Sequence, residues 1–437
     1  MTQHGAFSLI VNIRSGQKQQ LQSLLRVIDS NVATNELVPF GKLTSIHFAR
    51  FVVLDAGIDA KGGSIPDRLA FTTNYDQPYD GHLQQMVNLA GPGLWQIFAL
   101  TEGFPPGGFD STTLLRYFQS HSRKTETFYV GVGYRSVQQI HNENLLRTSI
   151  ETFADKNASG FKQLSATQIR NKIVDFVQTR PELQWARQPE PGPTVSWMIR
   201  FFGKPALALL ILVGVGILIV HLGLVMAALL AIAVALAVFV VAVLIMEGRE
   251  KQAPNVLTKH HIRTLVDRET APVQAQFSAL GNVKPGMLRL AIMRFLLFFT
   301  DVSAPYLFFK GKLSGIPTVH FARWLILNEG RQMLFLSNYD GNSENYLHDF
   351  IHIAAKPLTL MFCHTQGYPK THLLVFGGAE DAAGFMQWAR SKQIVTDVWY
   401  SANPEVSVTN IYQNARIRAG LYGGMTEIQA RRWLSRL

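Results

Sequence analysis

The sequence has little cysteine and little charge, and both shortages narrow the classes of protein that it can encode. Cys363 is the single cysteine among 437 residues, which excludes an internal disulfide and an ordinary cysteine zinc site, since each needs at least two thiols. Charged residues make up 16% of the chain, below the ~25% of typical soluble proteins. An apolar segment must therefore dilute the charge. The length predicts more than one core, because single cores stop growing near ~250–300 residues.

A long segment without charge predicts two membrane-spanning helices. Positions 205–246 contain no Asp, Glu, Lys or Arg, and a single helix over them would be about 63 Å long, twice the hydrocarbon core of a bilayer. His221 and Gly223, near the middle, supply a polar side chain and a flexible residue for a tight turn. We therefore expect a hairpin of helices near 206–220 and 224–246. The alternative is a hairpin buried in the core of a soluble protein.

The flanks of this segment predict its orientation. Basic residues lie on both sides of it, at Arg200, Lys204, Arg249 and Lys251. Because basic residues resist translocation, both ends of the hairpin should stay inside. This topology describes a two-pass protein of the inner (plasma) membrane, with both termini and the polar segments in the cytoplasm.

The residues before the hairpin recur after it, which indicates an internal repeat. His-Phe-Ala-Arg occurs at 47–50 and again at 320–323, an offset of 273, and Asn-Tyr-Asp occurs at 74–76 and again at 338–340, an offset of 264. Phe-Ser occurs at 7–8 and again at 277–278. The predicted organisation is repeat 1 at 1–150, a polar linker with a Pro-rich end at 151–204, the hairpin at 205–247, a second linker at 248–276 and repeat 2 at 277–437.

Each repeat has the predicted order strand, helix, strand, strand, helix, strand, which is ferredoxin-like and belongs to the α+β class. Helices would cover one face of each sheet and leave the other face apolar. Packing the two open faces together would give a fused pseudo-dimeric α+β barrel, with the transmembrane hairpin inserted between the repeats. A pocket would then lie between the sheets or at their rim.

An apolar, aromatic segment at 290–309 replaces the polar first helix of repeat 1, at 18–29. Basic residues surround it, at Arg289, Arg294, Lys310 and Lys312. Such a helix beside a membrane hairpin is suited to the headgroup layer. A helix buried between the two repeats is the alternative.

The repeated His-Phe-Ala-Arg motif supplies the candidate catalytic residues His47, Arg50, His320 and Arg323. Residues three apart on a strand point to opposite faces, so the His and Arg of one copy should not share a site. One of them could then face the cavity between the sheets. The structural alternative is a paired core histidine and an Arg–Asp bridge, for example between Arg50 and Asp76.

The Asn-Tyr-Asp motif supplies the candidate cofactor-binding residues Asn74, Asp76, Asn338 and Asp340. Each pair is two residues apart on a strand and therefore shares a face. The alternative role is capping of the helix that follows.

One helix face of repeat 2 carries Glu344, His348 and His352 at four-residue spacing. This spacing suits a metal, but a solvated helix face is the favoured interpretation, and no metal site is predicted. The chain also lacks the Walker, Gly-x-Gly-x-x-Gly, Gly-x-Ser-x-Gly and His-Glu-x-x-His motifs.

The tandem His-Phe-Ala-Arg and Asn-Tyr-Asp motifs around an apolar hairpin resemble those of a bacterial family of largely uncharacterised membrane proteins, over nearly the whole chain. The fold is further similar to the dimeric α+β barrel superfamily, which includes the haem enzymes dye-decolorising peroxidase and chlorite dismutase. This similarity implies haem as a candidate cofactor and a peroxidase-like oxidoreductase as the candidate enzyme class. The Gly-x-x-Asp-Gly motif of dye-decolorising peroxidases is absent, since the segment 338–341 shares only its last two residues. No haem-ligating histidine can be assigned from the match.

These features predict a membrane-anchored cytosolic barrel that binds a small or hydrophobic ligand, with haem as one candidate and peroxidase-like chemistry as one outcome. The alternative is a non-catalytic membrane-associated scaffold or interaction protein. The net charge of +11 favours anionic lipid headgroups over nucleic acid as the partner, because juxtamembrane Lys and Arg meet such headgroups directly. The expected partners are therefore the bilayer and a small molecule, without nucleic acid.

Overall fold

The computed structural model describes residues 2–190, 192–193, 195–269, 273–307 and 312–437. Lys310, one of the basic residues expected around the apolar helix, and the end of that helix at 308–309 lie outside the described residues. The strands of the two main sheets are β1 (His4–Asn12), β2 (Ile46–Leu54), β3 (Arg68–Asp76), β4 (Thr127–Val130), β5 (Gln274–Asn282), β6 (Val319–Leu327), β7 (Gln332–Asp340) and β8 (Val398–Ser401).

The helices before and within the apolar hairpin are α1 (Lys18–Asp29), α2 (Tyr79–Phe98), α3 (Ser111–His121), α4 (Val137–Lys156), α5 (Ala158–Phe161), α6 (Ala166–Thr179), α7 (Val195–His221) and α8 (Val225–Gly248). Those after it are α9 (Lys259–Asp267), α10 (Met287–Leu307), α11 (Ser343–Phe362), α12 (Ala382–Lys392), α13 (Val408–Ala419) and α14 (Glu427–Leu434). Short 3-10 helices lie at Phe40–Lys42, Pro181–Arg187, Asn328–Gly330 and Gly378–Glu380. The chain thus combines α and β structure, as predicted.

Each main sheet takes its fourth strand from the other half of the chain. The first sheet has the order β1-β3-β2-β8 and the second β5-β7-β6-β4, and all neighbouring strands are antiparallel. Tyr400 of β8 lies opposite Ala49 of β2, and Tyr129 of β4 lies opposite Ala322 of β6. A ferredoxin-like half would keep its four strands in its own sheet, so the exchange of β4 and β8 differs from the expected arrangement.

The two sheets do not close into the barrel expected from the sequence. Among the described residues, isolated bridges connect the outer edge of β1 to the segment before β4, at Leu9 and Ser122, and the outer edge of β5 to the segment before β8, at Ala279 and Gln393. The physical reason is length, because β4 and β8 have four residues each whereas β1 and β5 have nine. A short strand cannot continue the ladder along a long edge.

The inner faces of the two sheets pack against each other, and helices cover the outer faces. Eight aliphatic side chains fill the space between the sheets at one end, namely Ile10, Val52, Leu54, Ala70, Leu325, Leu327, Leu334 and Leu336. Helices α1 to α3 cover the first sheet, and α10 to α12 cover the second. In α1, for example, Leu21, Leu25 and Ile28 recur at helical spacing and form its buried face.

Part of the segment predicted as a polar linker belongs to a third core. Helix α6 packs against α4 and α14, and its buried Ile173 and Val177 join Leu146, Ile417 and Trp433 in one apolar cluster. The apolar residues of α6, at four-residue spacing, therefore form the buried face of a packed helix and not an extended spacer between two domains.

Helices α7 and α8 are long and apolar enough to cross a membrane, over Trp197–His221 and Val225–Gly248. Nearly all of their side chains lie exposed on the surface. Gly223 has a φ of 65° at the turn between them, which confirms the predicted use of a flexible residue there. The first helix begins at Val195, earlier than the predicted start near 206, and Pro205 lies inside it.

Candidate functional site

A β-bulge places each motif histidine on the face that meets the other sheet. Ile46 pairs with Tyr75 and Phe48 with Asn74, so that His47 is the extra residue between them. The His47 ring lies 5.2 Å from the ring of Phe321, across the sheets. The same irregularity occurs at His320 in β6.

The prediction that the His and Arg of one motif point to opposite faces is therefore wrong. Without a bulge, His47 would lie on the helix-covered face, but the extra residue rotates it to the inner face. Arg50 also points inward and reaches the second sheet. One extra residue in a strand moves every side chain before it to the opposite face of the sheet.

Each motif histidine is paired with the motif aspartate of its own half. His47 Nε2 lies 2.8 Å from Asp76 Oδ1, and His320 Nε2 lies 2.6 Å from Asp340 Oδ1. Both histidines are buried. A buried His–Asp hydrogen bond fixes the ring orientation and gives both polar groups a partner.

The second oxygen of each aspartate accepts a hydrogen bond from the start of a distant helix. Asp76 Oδ2 accepts from the backbone N–H of Val137 in α4 at 2.9 Å, and Asp340 Oδ2 accepts from that of Val408 in α13 at 2.8 Å. The carboxylates thus stabilise helix N-termini. These are not the helices that follow the motif, since the cap of α11 is Asn342.

Arg50 connects the first sheet to the second through neutral acceptors. It is 3% exposed, and burial lowers its pKa to about 9. Its guanidinium donates to the carbonyl oxygens of Phe277 (3.1 Å) and Ser337 (2.9 Å), to Ser278 Oγ (3.0 Å), to Asn338 Oδ1 (2.5 Å) and to Gln276 Oε1 (3.3 Å). Arg50 therefore does not form the bridge to Asp76 considered from the sequence.

Arg323 makes the matching connection in the opposite direction. It is 2% exposed, and burial, with the charge of Arg50, lowers its pKa to about 9. Its guanidinium donates to the carbonyl oxygens of Phe7 (2.7 Å) and Thr73 (2.7 Å) and to Ser8 Oγ (3.0 Å). The two arginines hold the sheets together by reciprocal hydrogen bonds.

Asn74 and Asn338 meet between the two arginines. Asn338 Nδ2 donates to Asn74 Oδ1 at 3.2 Å, and Asn338 Oδ1 also accepts from the indole of Trp399 at 3.0 Å. Asn74 Nδ2 is buried and has no partner among the described residues. The structure therefore brings the arginine and asparagine candidates together in one buried layer, with the His–Asp pairs beside it.

The helix face with Glu344, His348 and His352 is exposed along its length. The two imidazole rings are 6.0 Å apart and nearly parallel. This geometry is that of a solvated helix face, as the sequence favours.

An apolar cavity of about 350 Å³ lies between α10 and α11. Residues from both helices and from β6 line it, including Phe299, Ser303, Trp324, Phe350, Ala354 and Met361. Lys356 also lines it, and its ammonium lies 5.5 Å from the centroid of the Phe376 ring. Sequence reasoning missed this cavity, although the apolar character of α10 was a signal for it.

The end of α8 is attached to the second half by buried charges. Glu250 pairs with Lys284 at 2.6 Å and with Arg289. One turn earlier, Glu247 accepts from Thr371 Oγ1 at 2.6 Å and from the backbone N–H groups of a nearby loop. The apolar hairpin is thus held firmly at this end, beside the first turn of α10.

Comparisons with protein-family models, with curated proteins and with solved structures found no match to this chain.

Proposed function

We propose that the protein is anchored in a membrane by its hairpin and binds the hydrocarbon chain of a membrane amphiphile in the cavity between α10 and α11. The observation that carries this proposal is an apolar cavity lined by Phe299, a residue that also belongs to the exposed apolar face of α10. The cavity and the membrane-facing surface are therefore continuous.

The exposed hairpin supports the membrane part of the proposal. Helices α7 and α8 provide spans of 25 and 24 residues, more than the ~20 that cross a hydrocarbon core. Their exposed aliphatic side chains would be unfavourable in water. The basic flanks support an inner (plasma) membrane with both termini and the folded parts in the cytoplasm. Anionic lipid headgroups are the corresponding partners.

Helix α10 lies against both ends of the hairpin. Arg289, in its first turn, pairs with Glu250 after α8, and Tyr306, in its last turn, packs edge-to-face against Phe201 of α7 with ring centroids 4.8 Å apart. Along α10 an apolar stripe is exposed at helical spacing, made of Leu288, Phe295, Phe298, Phe299 and Val302. A helix with such a stripe beside a membrane hairpin lies in the interfacial layer.

The size and chemistry of the cavity favour a chain-like apolar ligand. At about 350 Å³ it falls at the lower end of small-molecule sites. Its walls are mainly aliphatic and aromatic, and Lys356 offers a positive charge for an acidic headgroup. Burial of apolar surface in such a site supplies about 25 cal/mol per Å².

Haem does not fit the residues first considered for it. His47 and His320 are each packed against a phenylalanine ring of the other sheet, which leaves no room for a porphyrin beside them. The space between the sheets beside them is occupied by aromatic side chains and by the two arginines. We therefore derive no peroxidase-like step through haem.

The reciprocal contacts of the two halves favour a scaffold role for the repeated motifs. We also propose that the halves are copies of one ferredoxin-like repeat that have exchanged their last strands, and that the chain is related to the bacterial membrane family and the dimeric α+β barrels that it resembles. Equal strand orders, equal bulges and equal His–Asp pairs support this proposal. In a pure scaffold the cavity would bind nothing.

Binding of a pyrene-labelled long-chain fatty acid to the full chain in mild detergent tests the proposed function. Ser303→Phe adds a ring inside the cavity and should weaken binding about tenfold or more, equivalent to about 1.4 kcal/mol. Val302→Phe adds the same ring to the exposed stripe and is the matched control, expected to bind as the unmodified protein does. Equal binding by both variants, or none by the unmodified protein, would leave only the scaffold role.

A further inference from the structure

A histidine that the sequence motifs do not include completes a cluster in the first half of the chain. His4, at the start of β1, lies directly opposite Asp76 in the ladder with β3. Its Nε2 is 3.5 Å from Asp76 Oδ1, and its ring centroid is 4.9 Å from that of His47. One ligand atom from each of the three residues lies within 4.8 Å of the others.

These separations match those of a metal site. With metal–nitrogen and metal–oxygen bonds of about 2.0–2.2 Å, the ligand atoms of a tetrahedral site lie about 3.3 Å apart. The 2.8 Å from His47 to Asp76 and the 3.5 Å from His4 to Asp76 bracket that value. Two imidazoles and one carboxylate are also a ligand set of zinc and iron(II) sites with open positions.

The imidazole of His4 has an uncommitted lone pair. Its side chain is fully buried, and Nε2 donates to the carbonyl oxygen of Arg135 at 2.9 Å. Nδ1 then carries the lone pair, and it has no partner among the described residues. Because Nδ1 is free to take up the ring proton, Nε2, the atom nearest to Asp76, can become the ligand atom in place of its hydrogen bond to Arg135.

A cavity of about 450 Å³ adjoins the cluster and provides room for further ligands of the metal. His4, Tyr129 and Tyr134 are among the residues that line it. The hydroxyl of Tyr129 is buried and, like His4 Nδ1, has no partner in the described part of the chain. Tyr129 therefore offers a further polar atom at the cavity that His4 also lines.

The second half lacks the third ligand and serves as an internal comparison. Gln274 lies opposite Asp340 in the ladder of β5 with β7, where His4 lies opposite Asp76 in the first half. Its amide is committed to the carbonyl oxygens of Asn403 and Val406 and to the hydroxyl of Ser401. A His–Asp pair alone therefore forms there.

We propose that His4, His47 and Asp76 bind one divalent transition-metal ion, with its remaining coordination positions open to the cavity beside Tyr129. The site does not depend on the proposed hydrocarbon site, which lies between α10 and α11.

Titration of the full chain in detergent, after chelation and tag removal, with Zn²⁺ and with the visible absorption of Co²⁺ tests this site. One equivalent should bind. His4→Gln introduces the residue that the second half has at the matching position. It should weaken metal binding by about 10–100-fold or more, since loss of an outer-shell partner alone has an effect of that size. His320→Gln, which breaks the pair of the second half, should leave binding unchanged.

Three results would overturn the assignment. These are no stoichiometric binding by the unmodified protein, equal binding by His4→Gln, and equal loss in His4→Gln and His320→Gln. A third variant, His348→Ala, tests the exposed imidazoles of α11. Binding that survives His4→Gln and disappears in His348→Ala would move the metal to that surface. Circular dichroism of each variant, compared with the unmodified chain, separates loss of the site from loss of the fold.

Discussion

Replacement of Arg323 by alanine should destabilise the protein through the contact between its two sheets. The side chain is buried and donates three hydrogen bonds to the first sheet, to Phe7, Ser8 and Thr73. Arg323→Ala removes all three donors and leaves the buried acceptors without this partner. Arg323 points between the sheets, whereas its neighbour Trp324 lines the cavity between α10 and α11 from the opposite face of β6, so the perturbation acts on the packing of the sheets.

The expected magnitude follows from two opposing contributions. Hydrogen bonds to charged groups contribute about 1.5–3 kcal/mol each, so three bonds give a gross loss of about 4.5–9 kcal/mol. Removal of a buried guanidinium also relieves a desolvation cost of several kcal/mol. The net loss in the free energy of unfolding should therefore be about 2–4 kcal/mol. Arg50→Ala should cost more, because Arg50 donates to five acceptors.

Urea denaturation of the full chain in mild detergent, followed by tryptophan fluorescence, measures this loss. Trp324 and Trp399 lie in the strands that the arginines connect, so their emission reports on separation of the sheets. Arg26→Ala changes an exposed arginine of α1 and should stay within about 0.5 kcal/mol. Unchanged stability of Arg323→Ala, together with loss of a bound ligand, would refute a structural role and restore Arg323 as a binding residue.

Two further predictions concern strand exchange and pH. Oxidation should form a disulfide in the double variant Ala49→Cys/Tyr400→Cys, because these positions lie opposite each other in the ladder, but not in Ala49→Cys/Tyr129→Cys. Gel mobility after proteolysis distinguishes the cross-linked chain from the chain without a cross-link. The reverse result would mean that each half keeps its own last strand. Burial raises the pKa of Asp397 to about 6, so the folded state retains a proton that the unfolded state releases near pH 4. Unfolding in urea should show that the free energy of unfolding falls as pH rises from about 4 to 6. Asp397→Asn should remove this dependence on pH, whereas Asp80→Asn, at an exposed position, should keep it. An unchanged dependence in Asp397→Asn would contradict the assignment.

Local sequence patterns predicted the elements of this protein better than their connections. The mixed α and β composition and the two apolar helices are confirmed, because hydrophobic periodicity and length act within one element. The exchange of β4 and β8 depends on pairing between residues hundreds of positions apart. Both sheets present similar apolar edges, so composition alone cannot assign a strand to one of them.

The candidate sites show the same limit on a smaller scale. The motif spacing predicted that His47 and Arg50 point to opposite faces, which is wrong because one extra residue at a bulge reverses the alternation. His4 carries no motif and becomes notable only through its register with Asp76. The apolar cavity depends on how side chains of α10 and α11 pack, which periodicity does not describe. Its one signal in the sequence was the length and apolar character of the segment that forms α10.

The differences between the two halves are more informative about function than their similarities. If the halves are copies, the residues that both retain, such as Arg50 and Arg323, hold one half to the other. Their hydrogen bonds to neutral acceptors within the protein account for these residues without a ligand. A ligand site needs features that the fold itself does not require. His4, where the other half has Gln274, and the 21-residue α10, where the other half has the 12-residue α1, are such features. Both lie next to cavities, and α10 also contacts the apolar hairpin. If the halves are copies, each has become specialised at a different place, on a frame held by both, and this accounts for the placement of the two proposed sites.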